Sequence, residues 1–250
     1  MKKVRLDNLL VERGVFASAD EALRAVMAHE VKVGDAYATS AAMKVSPDAN
    51  VQVKGRAAYV SRGGYKLAGA LDAFGQEVEG KRCIDIGSSP GGFSDCLLQR
   101  GAASVACVDV NYGQLAWSVR QDPRVTVFER TNIKTADPEV LGAPFDVLVA
   151  DLSFIGLAQL ANVFARLSAP GSVFVGLVKP QFESRRGETE GGLVTDPAVR
   201  KRTVLEVQQA LEHVGFSVTD IVESSITGKR AGNVEYLVRA VFGASTMYTS

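Results

Sequence analysis

The sequence predicts an α/β fold, a mostly parallel sheet with helices on both faces, preceded by a small α+β module. Three observations carry that expectation. From residue 66 onward, short apolar runs of strand length alternate with amphipathic helical segments. An apolar strand at 82–87 runs straight into the turn Gly87-Ser88-Ser89-Pro90-Gly91-Gly92, and a helix begins near Phe93 with Leu97 and Leu98 on its buried side. Residues 1–53 read differently, as two short helices and three short strand-like pieces.

In that first module, residues 5–13 place Leu6, Leu9, Leu10 and Val11 on one side of a helix. Residues 18–29 open with Ser18 as N-cap and Glu21 three positions on, a capping box, with Ala22, Leu23, Ala25 and Val26 on the apolar face. Strand-like pieces follow at 31–33, 36–39 and 51–53, with turns at Asp35 and Pro47-Asp48. The module holds seven basic and seven acidic side chains, so it is electrically neutral. The joint at 54–66 carries Lys54, Arg56, Arg62 and Lys66 and no acid, with Tyr59 and Tyr65 interleaved. Cations that pair with phosphates beside aromatics that stack on bases are the composition of an RNA-contacting segment. A solvated linker fits its glycines equally well.

In the larger part, helix 63–74 leads into strand 82–87, helix 91–100, strand 104–109 and helix 113–120. Strands 125–128 and 145–150, helix 154–167, strand 172–178 and helix 197–214 follow. Strands near 216–225 and 234–242 close the chain as an antiparallel pair. Segment 181–193 is polar and glycine-containing, which predicts a mobile loop. Arg200-Lys201-Arg202 and Lys229-Arg230 read as solvated faces.

Composition sets bounds. With 46% hydrophobic and 22% charged residues over 250 positions, the chain is typical of a soluble globular protein. No apolar run approaches a membrane span, and the N-terminus lacks the apolar stretch of a secretory signal. Cys83, Cys96 and Cys107 stand singly in apolar contexts, offering neither a disulfide framework nor a zinc spacing. The expectation is a reduced, cytoplasmic protein without a metal. Net charge is zero, so any nucleic-acid binding must come from local patches.

The glycine turn narrows the ligand. Ser89 occupies the place where a dinucleotide fingerprint needs its second glycine. A phosphate-cradling loop fails too, because Phe93 and Ser94 follow Gly92 and no lysine is present. What remains is close approach to an uncharged or zwitterionic nucleoside. Asp109 ends the next strand, 24 residues after Asp85, where an acid can hold ribose hydroxyls.

This combination resembles the first motifs of S-adenosylmethionine (SAM) dependent methyltransferases. The resemblance implies a Rossmann-like seven-stranded methyltransferase fold, with Gly87, Ser88, Gly91, Gly92, Phe93, Asp109, Asn132 and Asp151 around the cofactor. Lys66, Asp151, Lys179 and Glu235, in that order, are similar to the tetrad of FtsJ-like RNA ribose 2′-O-methyltransferases. Arg5-Leu6-Asp7, Ser18–Ala22 and the hairpin at 29–35 resemble an S-four type (αL) RNA-binding domain, although Ala19 stands where arginine is usual and Glu30 where glycine is. The two together resemble the TlyA family, whose members also carry the name haemolysin. Ser61–Lys66, Val108–Leu115 and Leu177–Glu183 carry that likeness too; family linkers tend to hold tryptophan where this chain has Tyr59.

The resemblance implies an S-four type domain at 1–53, a basic linker at 54–61, a methyltransferase domain at 62–244 and a tail at 245–250. It implies methylation of cytidine ribose in ribosomal RNA, chiefly of the large subunit, with ribosomal RNA or a ribosomal subunit as partner. The RNA contacts would be Arg5, Arg24, Lys32, Lys54, Arg56, Arg62, Arg185 and Arg186. A ribose hydroxyl is a poor nucleophile, so aligning it with an activated methyl and helping its proton leave are the main tasks. Lys179 is the candidate base or oxyanion stabiliser, Lys66 a second cation, and Asp151 and Glu235 their orienting carboxylates. Two other readings exist: a non-catalytic ribosome-assembly factor that retains the fold, and a pore-forming cytolysin. The intact tetrad speaks against the first, and the lack of any spanning segment against the second.

Overall fold

The computed structural model describes residues 3–13, 15–16, 18–47, 49–55, 58–228 and 232–243, in two compact units dividing between Ala58 and Tyr59. The smaller unit contains β1 (Val4–Arg5), α1 (Leu6–Glu12), α2 (Ala19–Met27), β2 (Val31–Val33), β3 (Ala36–Tyr37), β4 (Lys44–Val45) and β5 (Val51–Val53). β2 pairs antiparallel with β3 and β5, and β1 with β4. The Ser18 hydroxyl accepts from Glu21 N–H at 3.3 Å, the expected N-cap. Leu6, Leu9, Leu10, Phe16, Ala22, Val26 and Val31 form its core. The β1–β4 pair went unforeseen because two residues are too few for a periodicity to show.

The larger unit runs α3 (Arg62–Phe74), β6 (Arg82–Ile86), α4 (Gly92–Gln99), β7 (Ser104–Val108), α5 (Trp117–Arg120), β8 (Val125–Phe128), α6 (Pro138–Leu141) and β9 (Phe145–Ala150). A 3₁₀ turn (Leu157–Leu160), α7 (Ala161–Arg166), β10 (Ser168–Val178), α8 (Pro180–Glu183), α9 (Pro197–His213), β11 (Phe216–Glu223) and β12 (Tyr236–Phe242) follow. The seven strands lie in the order β11-β12-β10-β9-β6-β7-β8. Pairings among β10, β9, β6, β7 and β8 are parallel, and β12 runs antiparallel between β10 and β11.

Strand residues alternate between two buried faces. Ile84, Ile86, Leu148, Phe164 and Phe174 belong to one core, and Cys83, Val105, Cys107, Val147, Val149 and Leu97 to the other. All three cysteines are free and buried, as their apolar contexts predicted. Chain order runs outward from β6 to β8 on one side, and from β9 to β10 and the final hairpin on the other. The topological switch therefore lies between β6 and β9, and the crevice beyond their carboxyl ends is where such sheets bind ligands.

Several elements differ from expectation. The helix expected at 113–120 keeps only Trp117–Arg120, because Gly113 adopts φ +67° and turns the chain first. The helix expected at 154–167 starts only at Leu157, since Phe154 at φ +71° breaks any helical path. Segment 181–193, expected as a polar loop, makes several contacts with the rest of the unit. Pro180 opens α8, Arg202 bonds both oxygens of Glu188 at 2.6 Å, and Asn233 accepts from Val194 N–H and donates to Gly192 O. Several of its polar groups, Glu183, Arg185 and Glu188 among them, bond within the protein, a pairing that composition does not reveal. No helix among the described residues is long and apolar enough to cross a membrane.

Candidate active site

Both loops at the switch point come together. Gly87, at φ +82°, follows β6, and a Cβ there would lie 2.7 Å from Asp151 O, one residue beyond β9. Only glycine permits this approach, for reasons of both space and backbone conformation. Gly87 and Ser88 N–H both donate to Val108 O, and Ser88 is buried. Ser89 N–H donates to Asp109 Oδ2 at 2.9 Å, and Asn111 N–H donates to Oδ1 at 2.8 Å. Asp109 thereby laces the glycine turn to the loop after β7. Asn132, beyond β8, is exposed, and its Oδ1 accepts from Lys134 N–H.

The second half of the turn faces the protein. A Cβ at Gly92 would overlap the Ser61 hydroxyl and lie 2.8 Å from Gly64 N, so α4 begins directly against α3. Gly91, at φ +111°, is the N-cap of α4. Phe93 is 2% exposed and belongs to the core beneath the turn, not to an open wall of it. Tyr59 is also partly packed. Its ring lies against Gly64 and meets Tyr65 edge-on at 5.0 Å, so part of it is engaged in packing. Burial pushes its hydroxyl up to about 12.

The four residues Lys66, Asp151, Lys179 and Glu235 form two ion pairs. Lys66, in the second turn of α3, pairs with Glu235, which immediately precedes β12; both are buried. Lys179, the first residue after β10, meets Asp151 Oδ1 at 2.6 Å, outside hydrogen-bond alignment, and Ser153 Oγ at 3.5 Å. The first turn of α3 adjoins the second pair, since a Cβ at Gly63 would lie 3.5 Å from Asp151 Oδ2. Helix α3 thus carries Lys66 of the buried pair and, in its first turn, Gly63 beside the more open one.

Asp85 was not singled out from sequence. It is fully buried on β6, its Oδ2 accepts from Ser94 N–H and Oγ, and its Oδ1 has no hydrogen-bond partner. Burial is the main cause that pushes its carboxyl up to about 7, with the Asp151 and Asp109 charges adding to it. An acid inside the apolar run Cys83–Ile86 was the available signal. Glu183 was also missed as a participant; its partners lie 26 residues away at Leu157.

Of the basic residues expected to meet RNA, Arg24, Lys54 and Arg186 are exposed. Lys32 lies 4.8 Å from the Tyr37 ring. Arg5 pairs with Asp7, Arg62 donates to Thr227 O, and Arg185 pairs with Glu206. Arg56, Lys229, Arg230 and the 245–250 tail lie outside the described residues. No cluster of metal ligands occurs among the described residues.

This sheet order, with a glycine turn at the switch point, defines a methyltransferase-type α/β domain, and comparison with known proteins agrees. Residues 59–242 match the family model for FtsJ-like methyltransferases. The 16S/23S rRNA (cytidine-2′-O)-methyltransferase TlyA of Mycobacterium tuberculosis is 43% identical over 95% of this chain and 89% of its own. Hemolysin A of Brachyspira hyodysenteriae is 35% identical over 95% of this chain and 100% of its own. A solved structure of a candidate hemolysin from Streptococcus thermophilus is 36% identical and superposes with a TM-score of 0.73, covering 98% of this chain and 90% of that one. The chain belongs to the FtsJ-like methyltransferases, and within them to the TlyA family.

Proposed function

We propose that this chain transfers a methyl group from SAM to the ribose 2′-hydroxyl of a cytidine in 23S rRNA. The observation that carries the reading is the Lys179–Asp151 contact beside the glycine turn at the sheet's switch point. The M. tuberculosis relative is named for 16S and 23S rRNA, and a Campylobacter jejuni relative, 35% identical over 71% of this chain, for 23S rRNA. The substrate common to both is 23S.

The residues present fit the cofactor. The turn is small and bent by glycines at positive φ, and Asp109 stands at the end of β7. Asp85 brings a buried oxygen without a hydrogen-bond partner. SAM, when bound, supplies a methyl already activated by a sulfonium. Gly87, Ser88, Gly91 and Gly92 shape its turn, with Phe93 as the support below. Asp109, Asn132 and Asp151 are the polar groups that hold it. Lys179, kept in place by Asp151, stabilises the ribose oxygen as its proton passes to solvent water. Lys66, braced by Glu235, fixes α3 against the site. The smaller unit acts as an S-four type RNA-positioning domain through Arg24, Lys32 and Lys54, with Arg5, Arg56, Arg62, Arg185 and Arg186 as further phosphate contacts.

The test is tritiated methyl transfer from SAM to large ribosomal subunits that lack the modification. Wild type labels 23S rRNA and Lys179→Ala does not. Equal labelling by both proteins would remove Lys179 from the mechanism, and no labelling by either would remove the activity.

A further inference from the structure

Glu183 ends α8, four residues after Lys179, and its carboxylate reaches across to the loop that carries Asp151. Leu157 N–H donates to Glu183 Oε1 at 2.5 Å, and Ala158 N–H is a second donor. A Cβ at Gly156 would overlap the Glu183 carboxylate. Gly156 has φ −78°, a conformation open to any residue, so glycine is needed here for space alone. The contacts between the two loops form a series. Lys179 meets Asp151 and Ser153, the Phe182 and Phe154 rings lie 5.7 Å apart, and Glu183 holds Leu157.

We infer that Glu183 is a positioning residue for methyl transfer: its carboxylate clasps the Asp151 loop to the Lys179 loop and so sets where the Lys179–Asp151 pair stands. The inference rests on the reading of that pair as the group that acts on the ribose hydroxyl. Asp151 N–H still donates to Ile86 O at 3.1 Å, so the sheet fixes that residue's main chain. Segment 152–156 and the residues after Lys179 lie beyond the strand ends, and the sheet does not fix the separation of those two stretches. A carboxylate that accepts two main-chain N–H groups at the start of a helical run fixes it instead. The position is costly for an acid. Burial pushes the Glu183 carboxyl up to about 7, and Glu206 on α9 adds to that, while Arg185 and Arg202 pair with Glu206. Glutamine keeps one accepting oxygen and turns an NH₂ group toward Gly156, so it can replace the clasp only in part.

The experiment uses the full chain as wild type, Glu183→Ala, Glu183→Gln, Gly156→Ala and Lys179→Ala. Single-turnover methyl transfer is measured with saturating tritiated SAM on unmodified large subunits, alongside SAM affinity, subunit affinity and Tm. Glu183→Ala and Gly156→Ala are expected to slow the transfer step about 10- to 100-fold while both affinities stay within about threefold, as for a misplaced catalytic group. Glu183→Gln is expected to recover part of the lost rate. An unchanged rate in Glu183→Ala, or a loss matched by weaker SAM or subunit binding, overturns the clasp. If Lys179→Ala abolishes transfer while Glu183→Ala does not slow it, the clasp alone fails. If Lys179→Ala transfers like wild type, the reading of the pair fails with it.

Discussion

The two lysine–carboxylate pairs use the same chemistry in different surroundings. Lys66 and Glu235 have side chains only 9% and 3% exposed, and they join helix α3 to the start of β12. Lys179 and Asp151 are 12% and 25% exposed, and each is the first residue beyond its strand. Enclosed on both sides, the first pair holds parts of the scaffold together. The second is open on its carboxylate side and can meet a substrate. Burial separates a brace from a reacting pair.

The largest effect that could break this comparison is on stability. Lys66→Met leaves Glu235 as a buried charge without its partner and is expected to cost about 3–5 kcal/mol in urea unfolding. Replacing both members with apolar residues should restore much of that loss without restoring methyl transfer. Lys179→Ala should show the reverse pattern. Its transfer rate is expected to fall about 100- to 1,000-fold, the cost of losing one oxyanion-stabilising group, with stability changed by less than about 1 kcal/mol. Equal destabilisation by the two single substitutions would erase the distinction.

A smaller effect concerns pH. Asp85 and Glu183 both have carboxyls raised to about 7 in the folded protein, above their ordinary values of 3.8 and 4.5. The folded state therefore binds protons that the unfolded state has released, and stability falls as pH rises from about 4 to about 7. Asp7, Asp122, Glu188 and Asp220 are lowered instead, with arginine partners among the causes, so they act below that window. The unfolding free energy in urea should be about 2–4 kcal/mol lower at pH 7.5 than at pH 5.5 in wild type, and the difference should be about half as large in Asp85→Asn. The smallest effect lies on the smaller unit. Substituting Arg24, Lys32 and Lys54 with alanine should weaken subunit binding and lower its salt dependence by about one unit of slope per lost phosphate contact. SAM affinity should not move.

The fold was legible because its signals are local. Strand, glycine turn and helix at 82–99 lie within one short stretch, and Asp109, Asp151, Lys179 and Glu235 each mark the end or start of a strand. Partnership across space was not legible. Nothing near Glu183 announces Gly156, nothing near Tyr59 announces Gly64, and the polar run at 181–193 gives no hint of Asn233. Phe93 follows a cofactor-like turn in sequence, yet the helix it opens rotates its ring into the core. Periodicity says which face of an element is apolar; it does not say which loop will lie beside which.

The site built around Lys179 and Asp151 is proposed to methylate a cytidine ribose in 23S rRNA. Unmodified large subunits incubated with the protein and SAM, then digested to nucleosides and analysed by mass spectrometry, test it directly. Newly formed 2′-O-methylcytidine in 23S rRNA is expected with wild type and none with Lys179→Ala. Methylation of a base, or no methylated nucleoside at all, would contradict it.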